Sequence, residues 1–495
     1  MSNSKKFKMP SALTILFCIV VFVALLTWFI PAGEYDYAML PDGETQAVVA
    51  GSYHKVNPDK QGIWDIFLAP ITGFVKSIDI GIYLMMISGF IALVMKTGAI
   101  SSGISLLTKK LLGKEILLIP ILMFLFSLCG TILGFWEETL GFYALVTPVF
   151  IAAGYDAIVG LLVVIWGAGL GLIGSTINPF ATGIASELAS IQLGKGMPFR
   201  LFMYILFFLL GTTYIMRYAK KVKDKPSSSL VFHLKESHEN HFKNTNSESN
   251  HMTKVHKSVL CVFAGVFLIL VMSMLPWEKT FHITFFKNSH AWLSNVPVLK
   301  DILGSTKAFG EWSTSELSVL FLAVSILVGF LGKFSEDDFI HTFFSGVSDV
   351  MSVVFVIAIA NGVKEIMDDG HISATILFYG ERLLSSLSGS ALACASFLLY
   401  LPLSFLIPSS SGLATLSIPL LAPLADFTGM GRDIIVTAYQ TANAIINLIS
   451  PTSAVLMGAL TITKIPYSIY IKSILKLLAV IVVILLVALY IAPLI

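Results

Sequence analysis

The sequence predicts an all-α polytopic membrane protein with two internal repeats, each containing a re-entrant hairpin and a broken transmembrane helix. The first observation is composition: 56% of the 495 residues are hydrophobic and only 13% are charged, whereas soluble domains carry about 25% charged residues. The second is a series of long uncharged apolar runs. The third is a set of motifs that recurs about 272 positions later. This composition excludes a cytosolic enzyme, a nucleic-acid binder and a disordered scaffold.

The apolar runs predict eleven crossings, within a range of ten to twelve. A spanning helix needs about 20 mostly apolar residues, and residues 11–30 meet this length directly after Lys5, Lys6 and Lys8. A secretory signal has an apolar core of only about 7–15 residues, so we expect a retained first helix with a cytoplasmic N-terminus. The other crossings are expected at 81–97, 116–133, 157–185, 199–218, 258–276, 315–332, 352–368, 388–406, 432–460 and 477–495. Four more polar segments, 62–79, 99–114, 336–350 and 371–387, are predicted to be interfacial amphipathic helices.

The chain divides into five predicted parts. One stretch, 219–257, is plainly hydrophilic, since it holds eight lysines and five of the ten histidines. We interpret it as a solvated linker between two halves. The parts are the first transmembrane helix and outer loop (1–61), repeat one (62–219), the hydrophilic linker (220–257), connecting transmembrane helices (258–335) and repeat two (336–495).

The internal repeat is predicted from motifs at matching positions. Residues 95–101, Met-Lys-Thr-Gly-Ala-Ile-Ser, agree with residues 367–373, Met-Asp-Asp-Gly-His-Ile-Ser, at four of seven positions. A common order and a near-constant offset favour two copies of one unit. In secondary transporters the two units usually have inverted membrane topology, so an odd number of crossings must separate equivalent helices. In the predicted set, six crossings separate them. We therefore expect that one of the crossings 199–218, 258–276 and 315–332 is assigned wrongly.

Each repeat contains two apolar stretches that polar residues, Gly and Pro interrupt. Hairpins are predicted near 134–153 and near 407–428, and broken helices at the prolines Pro179 and Pro451. Proline removes a backbone donor, and unwinding at membrane depth leaves half-helix ends that can hold ions and small solutes. The alternative is a simple proline kink, with Ser and Thr bonding back to the backbone. The candidate binding residues are Glu137, Glu138, Thr139, Ser175, Thr176, Asn178, Ser409, Ser410, Ser411, Gly412, Asn443, Asn447, Ser450, Thr452 and Ser453.

Adjacent carboxylates distinguish the first predicted hairpin. Glu137 and Glu138 are the only such pair in the predicted membrane interior, where a charge is a functional hypothesis by default. The alternative is a hairpin tip that reaches water. The sequence contains neither a phosphate-binding G-x-x-x-x-G-K-[ST] motif nor an H-E-x-x-H zinc motif, so no enzyme is predicted. We expect no cofactor and no resident metal, and the coupling ion, Na⁺ or H⁺, stays open.

Several motifs resemble the YfcC family, which belongs with the C4-dicarboxylate anaerobic carriers in the wider ion-transporter superfamily. The resemblance lies in residues 407–426 and 440–453, in Lys-Met-Pro at 8–10, in Ile-Pro-Ala-Gly-Glu-Tyr at 30–35 and in the carboxylate pair. It implies a two-repeat fold around a scaffold that can form a homodimer, and exchange of basic amino acids such as arginine and ornithine. The chain departs from the family at residues 409–413, Ser-Ser-Ser-Gly-Leu, and at 443–444, Asn-Ala.

The resulting functional prediction is a secondary active transporter of a bacterial inner membrane, most simply a basic amino acid antiporter. The carboxylate pair suits a guanidinium or ammonium group. An ion-coupled transporter of C4-dicarboxylates or short-chain carboxylates is the alternative, with Ser and Asn side chains and half-helix N-termini holding the anion. A channel is the second alternative. The expected partners are a small-molecule substrate, an amino acid or a carboxylate, and membrane lipid, with no nucleic acid.

Overall fold

The computed structural model is built almost entirely of helices. It describes residues 12–39, 46–100, 102–103, 114–192, 194–242, 252–274, 277–278, 283–296, 301, 306–407 and 409–494. Strands occur in these ranges only as two short antiparallel pairs in the loop after the first helix, Gly33–Glu34 (β1) with His54–Lys55 (β4) and Tyr37–Met39 (β2) with Gln46–Val48 (β3). The predicted all-α class is therefore confirmed.

Nineteen α-helices are defined in the described ranges. The first eight are α1 (Ala12–Leu26), α2 (Ile63–Lys76), α3 (Ile78–Lys96), α4 (Leu118–Leu133), α5 (Leu140–Ala152), α6 (Ala157–Ile173), α7 (Ile184–Leu188) and α8 (Met197–Asp224). The central four are α9 (Lys235–Phe242), α10 (Lys254–Met274), α11 (Phe285–Leu293) and α12 (Thr314–Gly332). The last seven are α13 (Glu336–Asp369), α14 (Ser373–Leu384), α15 (Gly389–Leu406), α16 (Ser410–Phe427), α17 (Arg432–Ile449), α18 (Ala454–Thr463) and α19 (Tyr467–Ile491).

The helices are those of a polytopic membrane protein. Within the described residues, eight helical stretches are long and apolar enough to cross a membrane, and the shorter apolar helices α1 and α6 add to them. Many of their large apolar side chains, such as Phe22, Phe202 and Phe330, are exposed. In water such surfaces would be unfavourable, whereas lipid tails solvate them.

Helices α4 and α5 form a re-entrant hairpin. Lys223 Nζ lies 3.0 Å from a carboxylate oxygen of Glu115, just before α4. The same Nζ lies 5.0 Å from the ring centroid of Tyr155, just after α5. Both ends of the helix pair therefore lie at one face, and the tip at 134–139 lies at depth. The prediction of a crossing at 116–133 was wrong, because a first hairpin arm and a crossing have the same apolar composition.

Helices α15 and α16 form a second hairpin of the same kind. A Cβ at Gly389, the first residue of α15, would lie 3.7 Å from Thr428 and 3.8 Å from Met430, which both follow α16. The predicted crossing at 388–406 is therefore also a hairpin arm. Without the two arms, eight of these apolar stretches remain in the described ranges: α1, α3, α6–α7, α8, α12, α13, α17–α18 and α19. Helix α10, which is apolar after its first turn, makes a ninth pass. The expected misassignment among 199–218, 258–276 and 315–332 was wrong, since all three are passes.

Two long helical stretches pack antiparallel and form a scaffold. One is α2 with α3, and the other is α13, which is a single 34-residue helix where an interfacial helix at 336–350 and a separate crossing were predicted. A Cβ at Gly73 would meet the carbonyl oxygen of Ala358, and a Cβ at Gly346 would lie 2.5 Å from the carbonyl oxygen of Ser88. Small residues thus allow the backbones to touch at two places, as in other membrane helix pairs.

The order of elements agrees with the predicted repeat. A hairpin, a broken helix and a long helix follow α3, and the same series follows α13 and α14. The two glycines at the close contacts, Gly73 and Gly346, are 273 positions apart. The internal repeat and the five domain boundaries stay predictions, which this order favours. The interfacial helices predicted at 62–79 and 371–387 correspond to α2 and α14, whereas most of 99–114 lies outside the described residues.

Part of the predicted linker packs against the protein. Helix α8 continues to Asp224, and residues 226–242 then fold back, so that His238 Nε2 donates to the carbonyl oxygen of Lys464 at 3.2 Å. The exposed fraction of His238 is only 3%. Lys464 and Lys96 line one cavity, so we call the side of the molecule with Lys96, Lys223 and Lys464 the lysine face. The start of α12 lies at the opposite face, because its far end leads to Phe334, whose ring is 5.5 Å from Lys96 Nζ.

Candidate functional site

The hairpin tips and helix breaks meet around a central cavity of about 520 Å³. Ten of the fifteen predicted site residues line it: Glu137, Glu138, Asn178, Ser409, Ser410, Ser411, Asn443, Asn447, Thr452 and Ser453. Thr139, Ser175, Thr176, Gly412 and Ser450 are not in its wall. Residues 312–314, at the start of α12, also line the cavity, so it extends toward the face opposite the lysine face.

The first hairpin tip turns between α4 and α5 and presents the carboxylate pair. Gly134 ends α4 with a φ of +72°, a left-handed conformation that glycine adopts without strain. The Glu138 carboxylate accepts a hydrogen bond from the Trp136 N–H at 3.1 Å, and its side chain is buried. Glu137 is half-buried and lines the same cavity. Thr139 Oγ1 donates to the Trp136 carbonyl at 2.6 Å, so this hydroxyl holds the turn.

The first helix break uses most of its polar groups to hold itself open. The Thr176 N–H donates to the Thr131 carbonyl at 3.1 Å, and the two hydroxyl groups of these threonines are 3.3 Å apart. Ser175 Oγ lies 2.6 Å from Thr182 Oγ1. The unwound backbone therefore finds partners in the hairpin beside it. Asn178 is the member of this motif that lines the cavity, and its Oδ1 accepts from the Ala181 N–H at 3.3 Å.

The second hairpin tip begins α16 at the cavity wall. Ser409 caps this helix, since its hydroxyl accepts a hydrogen bond from the Gly412 N–H at 3.2 Å. Ser410 Oγ donates to Asn443 Oδ1 at 2.8 Å, and Asn447 Nδ2 donates to the same oxygen at 3.1 Å. A hydroxyl and two amides thus form one polar cluster, which joins the second tip to α17.

The second helix break begins α18 at the same wall. Ser453 caps this helix by accepting a hydrogen bond from the Leu456 N–H at 3.4 Å. Ser450 Oγ lies 2.6 Å from Thr452 Oγ1, so Ser450 supports a residue of the wall without lining the cavity. The N-termini of α16 and α18 both lie at the cavity, and helix N-termini favour negative charge.

Several wall residues were not predicted from the sequence. Gln440 stands one turn before Asn443 and two turns before Asn447, so the spacing of polar residues on one face of α17 was a usable signal. Its Nε2 donates to the carbonyl oxygen of Leu172. No sequence signal pointed to the other unpredicted residues, among them Ile80, Trp136, Trp312, Ser313, Thr314 and Asn361.

The ionisable side chains of the cavity wall are acidic. Among the described residues that line it, Glu137 and Glu138 are the only ones with charged side chains. The remaining wall consists of hydroxyl and amide groups and of apolar side chains such as Leu172 and Ile357. Because the effective dielectric constant in such a cavity is lower than that of bulk water, a carboxylate there interacts more strongly with a cation than it would in water.

Apolar passes around a polar cavity, with two re-entrant tips and two unwound helices at its wall, form the architecture of a secondary transporter. The protein is a membrane transporter for a small molecule, and not an enzyme. The chain belongs to the DcuC family, described as C4-dicarboxylate anaerobic carriers, which it matches over residues 9–493. This confirms the resemblance that the motifs predicted.

Two relatives align with nearly the whole chain. An uncharacterised protein of Haemophilus influenzae is 30% identical, and the alignment covers 95% of this chain and 94% of the relative. A protein of Escherichia coli K12 named "Putative basic amino acid antiporter YfcC" is 25% identical, with 95% and 93% covered. Both relatives therefore align with this chain over nearly their full length.

Two solved structures are more distantly similar. MtrF of Neisseria gonorrhoeae, described with a class of antimetabolite efflux pumps, has a TM-score of 0.42 and 17% identity, with 99% of this chain and 96% of that chain covered. The YdaH transporter of Alcanivorax borkumensis has a TM-score of 0.42 and 14% identity, with 97% and 98% covered. The family assignment rests on the family match and not on these two structures.

Proposed function

We propose that the protein is an antiporter in a bacterial inner membrane that exchanges basic amino acids of the arginine and ornithine type. The observation that carries this proposal is that Glu137 and Glu138 are the only charged side chains on the described cavity wall. A cationic side chain would compensate these two carboxylates, whose charge is otherwise costly at membrane depth. The name of the Escherichia coli relative agrees with this substrate class.

A second part of the cavity wall suits the α-carboxylate of an amino acid. The N-termini of α16 and α18 line it together with Asn443. Asn443 Nδ2 is buried and donates to no other group in the described part of the chain. We infer that a substrate bridges the cavity, with its carboxylate at these donors and its side-chain cation at Glu137.

Exchange follows from the same charges. Without a cation, the cavity would carry uncompensated carboxylates through the transport cycle, which is unfavourable in a membrane interior. A second basic amino acid removes this cost on the return step, so exchange is faster than net uptake. We further propose that the lysine face is cytoplasmic, because positively charged segments are retained on that side. The N-terminus is then cytoplasmic as well.

The proposal is tested with purified protein in proteoliposomes. Vesicles loaded with ornithine or arginine should take up labelled arginine, and vesicles without internal amino acid should take up much less. Vesicles without protein provide the background. Uptake that does not depend on an internal substrate would favour the channel alternative. Absence of arginine exchange by protein that binds no basic amino acid would refute the proposal.

A carboxylate transporter is the second candidate function. The polar cluster around Asn443 and the two helix N-termini would suit an anion, and the family description names C4-dicarboxylates. The carboxylates of Glu137 and Glu138 would repel a dianion in the same cavity. Succinate and butyrate therefore belong in the uptake assay, and their transport in preference to arginine would favour this candidate.

A further inference from the structure

A second cavity of about 500 Å³ opens on the lysine face. It is lined by Leu84, Ile87 and Ser88 of α3. The residues 273 positions later on α13, Ile357, Ala360 and Asn361, line the central cavity. Leu140 and Gly141, which directly follow the first hairpin tip, also line the second cavity. The second cavity thus lies between the carboxylate-bearing tip and the lysine face.

Residues 226–242, which we call the strap, end at the mouth of this cavity. His241 and Phe242, at the end of the strap, are part of the cavity wall. Ser229 Oγ donates to the carboxylate of Asp156 at 2.6 Å, and His238 Nε2 donates to the Lys464 carbonyl at 3.2 Å. The strap is therefore attached at the start of α6 and directly after α18, where Lys464 lines the second cavity.

The strap is held weakly by comparison with the helices beneath it. Its helix, α9, has only eight residues, Lys-Glu-Ser-His-Glu-Asn-His-Phe, and isolated helices of this length are marginal in water. Its apolar contact with the rest of the protein consists of Val231, with an exposed fraction of 1%, and of the partly buried Leu230 and Leu234. Elements with few buried apolar contacts open locally at low free-energy cost, so this segment can detach without unfolding the transporter.

We propose that the strap is an autoinhibitory element that closes the lysine-face route to the central cavity. With the strap attached, its end at His241 and Phe242 narrows the second cavity, while the central cavity extends toward the opposite face. Detachment of the strap opens the lysine-face route and accelerates exchange. This holds for any substrate, so it does not depend on the proposal that basic amino acids are transported.

The test measures access to the second cavity directly. Ser88→Cys is introduced into full-length protein in which Cys18, Cys129, Cys261 and Cys394 are replaced by Ala, and its reaction with a water-soluble thiol reagent is timed. The release variant combines Ser229→Ala with His238→Ala. The matched control combines Ser227→Ala with His233→Ala, because both of these side chains are exposed.

The release variant should react on the order of tenfold faster than the control, since two hydrogen bonds of the strap are lost. His238→Gln, which keeps a donor, should restore slow reaction in the presence of Ser229. A Cys at Thr314, in the wall of the central cavity, should react equally in all variants and so reports correct folding. Equal labelling of Ser88→Cys in release and control variants would overturn the proposal, as would slower substrate exchange in the release variant. Labelling needs no substrate, so its failure is distinct from a failure of the amino acid proposal.

Discussion

Replacing each carboxylate of the first hairpin tip separately should have unequal effects. Glu138 is buried and already accepts a hydrogen bond from the Trp136 N–H at 3.1 Å. Gln retains an oxygen that can accept this bond, so Glu138→Gln should preserve the turn. Glu137 is half-buried in the cavity wall, where its charge is available to a substrate. We therefore expect Glu137→Gln to be the damaging substitution.

The magnitude follows from the bond that Glu137→Gln would weaken. A hydrogen bond to a charged group contributes about 1.5–3 kcal/mol, and every 1.4 kcal/mol is about tenfold in affinity. Glu137→Gln should therefore weaken arginine binding by about tenfold to a hundredfold. Glu138→Gln should weaken arginine binding by less than about tenfold, because the Glu138 carboxylate attracts the substrate only over a distance and does not contact it. Glu137→Asp should restore only part of the affinity, being one methylene shorter.

The assay is exchange of labelled arginine in proteoliposomes with equal amounts of each reconstituted variant, together with calorimetric titration of the purified proteins. The titration separates weaker binding from a slower transport step. Normal exchange by both Gln variants would show that the carboxylates are structural. A larger loss for Glu138→Gln than for Glu137→Gln would refute the assignment of the substrate-facing carboxylate.

Three further predictions concern the breaks, the polar cluster and the strap. Pro179→Ala and Pro451→Ala should lower transport much more than protein abundance, because without the proline the broken helix can become continuous. Unchanged uptake by both variants would show that these prolines only kink the helices. Asn443→Ala should weaken arginine binding about tenfold but leave binding of the decarboxylated amine unchanged; equal losses for both ligands in calorimetry would contradict carboxylate recognition there. Burial, and then the charge of Lys464, lower the pKa of His241 from its ordinary 6.5. The charged and titratable groups around His241 are His238, Lys464, Asp349, His341 and Lys96. The attached strap favours the neutral imidazole ring, so protonation of His241 favours release, and the labelling rate of Ser88→Cys should rise as the pH falls below about 6.5. The labelling rate of Thr314→Cys measures how the reagent itself depends on pH. A Ser88→Cys rate that, after this correction, is the same at pH 7.5 and pH 5.5 would contradict the prediction.

The sequence by itself was sufficient to predict that this protein folds in a membrane and to predict which residues interrupt its helices. Apolar runs of spanning length can only be helices in a membrane, because every backbone polar group must be paired there. Clusters of Ser, Asn and Pro in such runs are costly, and this made most of the polar residues of the cavity wall predictable, including Glu137 and Ser410. Local composition carries this information because the cost of a polar group in lipid depends little on its distant neighbours.

Tertiary structure alone decided which apolar helices cross the membrane and which polar groups face the cavity. The arms α4 and α15 have the composition of crossings, and only the contacts of Lys223 and Gly389 show that each hairpin returns to its own side. Thr176 and Asn178 belong to one motif, yet Thr176 is bonded to the neighbouring hairpin while Asn178 lines the cavity. The physical reason is that composition sets the depth at which a residue is stable in the membrane. The direction of its side chain depends on how the helix is rotated against its neighbours, which are distant in the sequence.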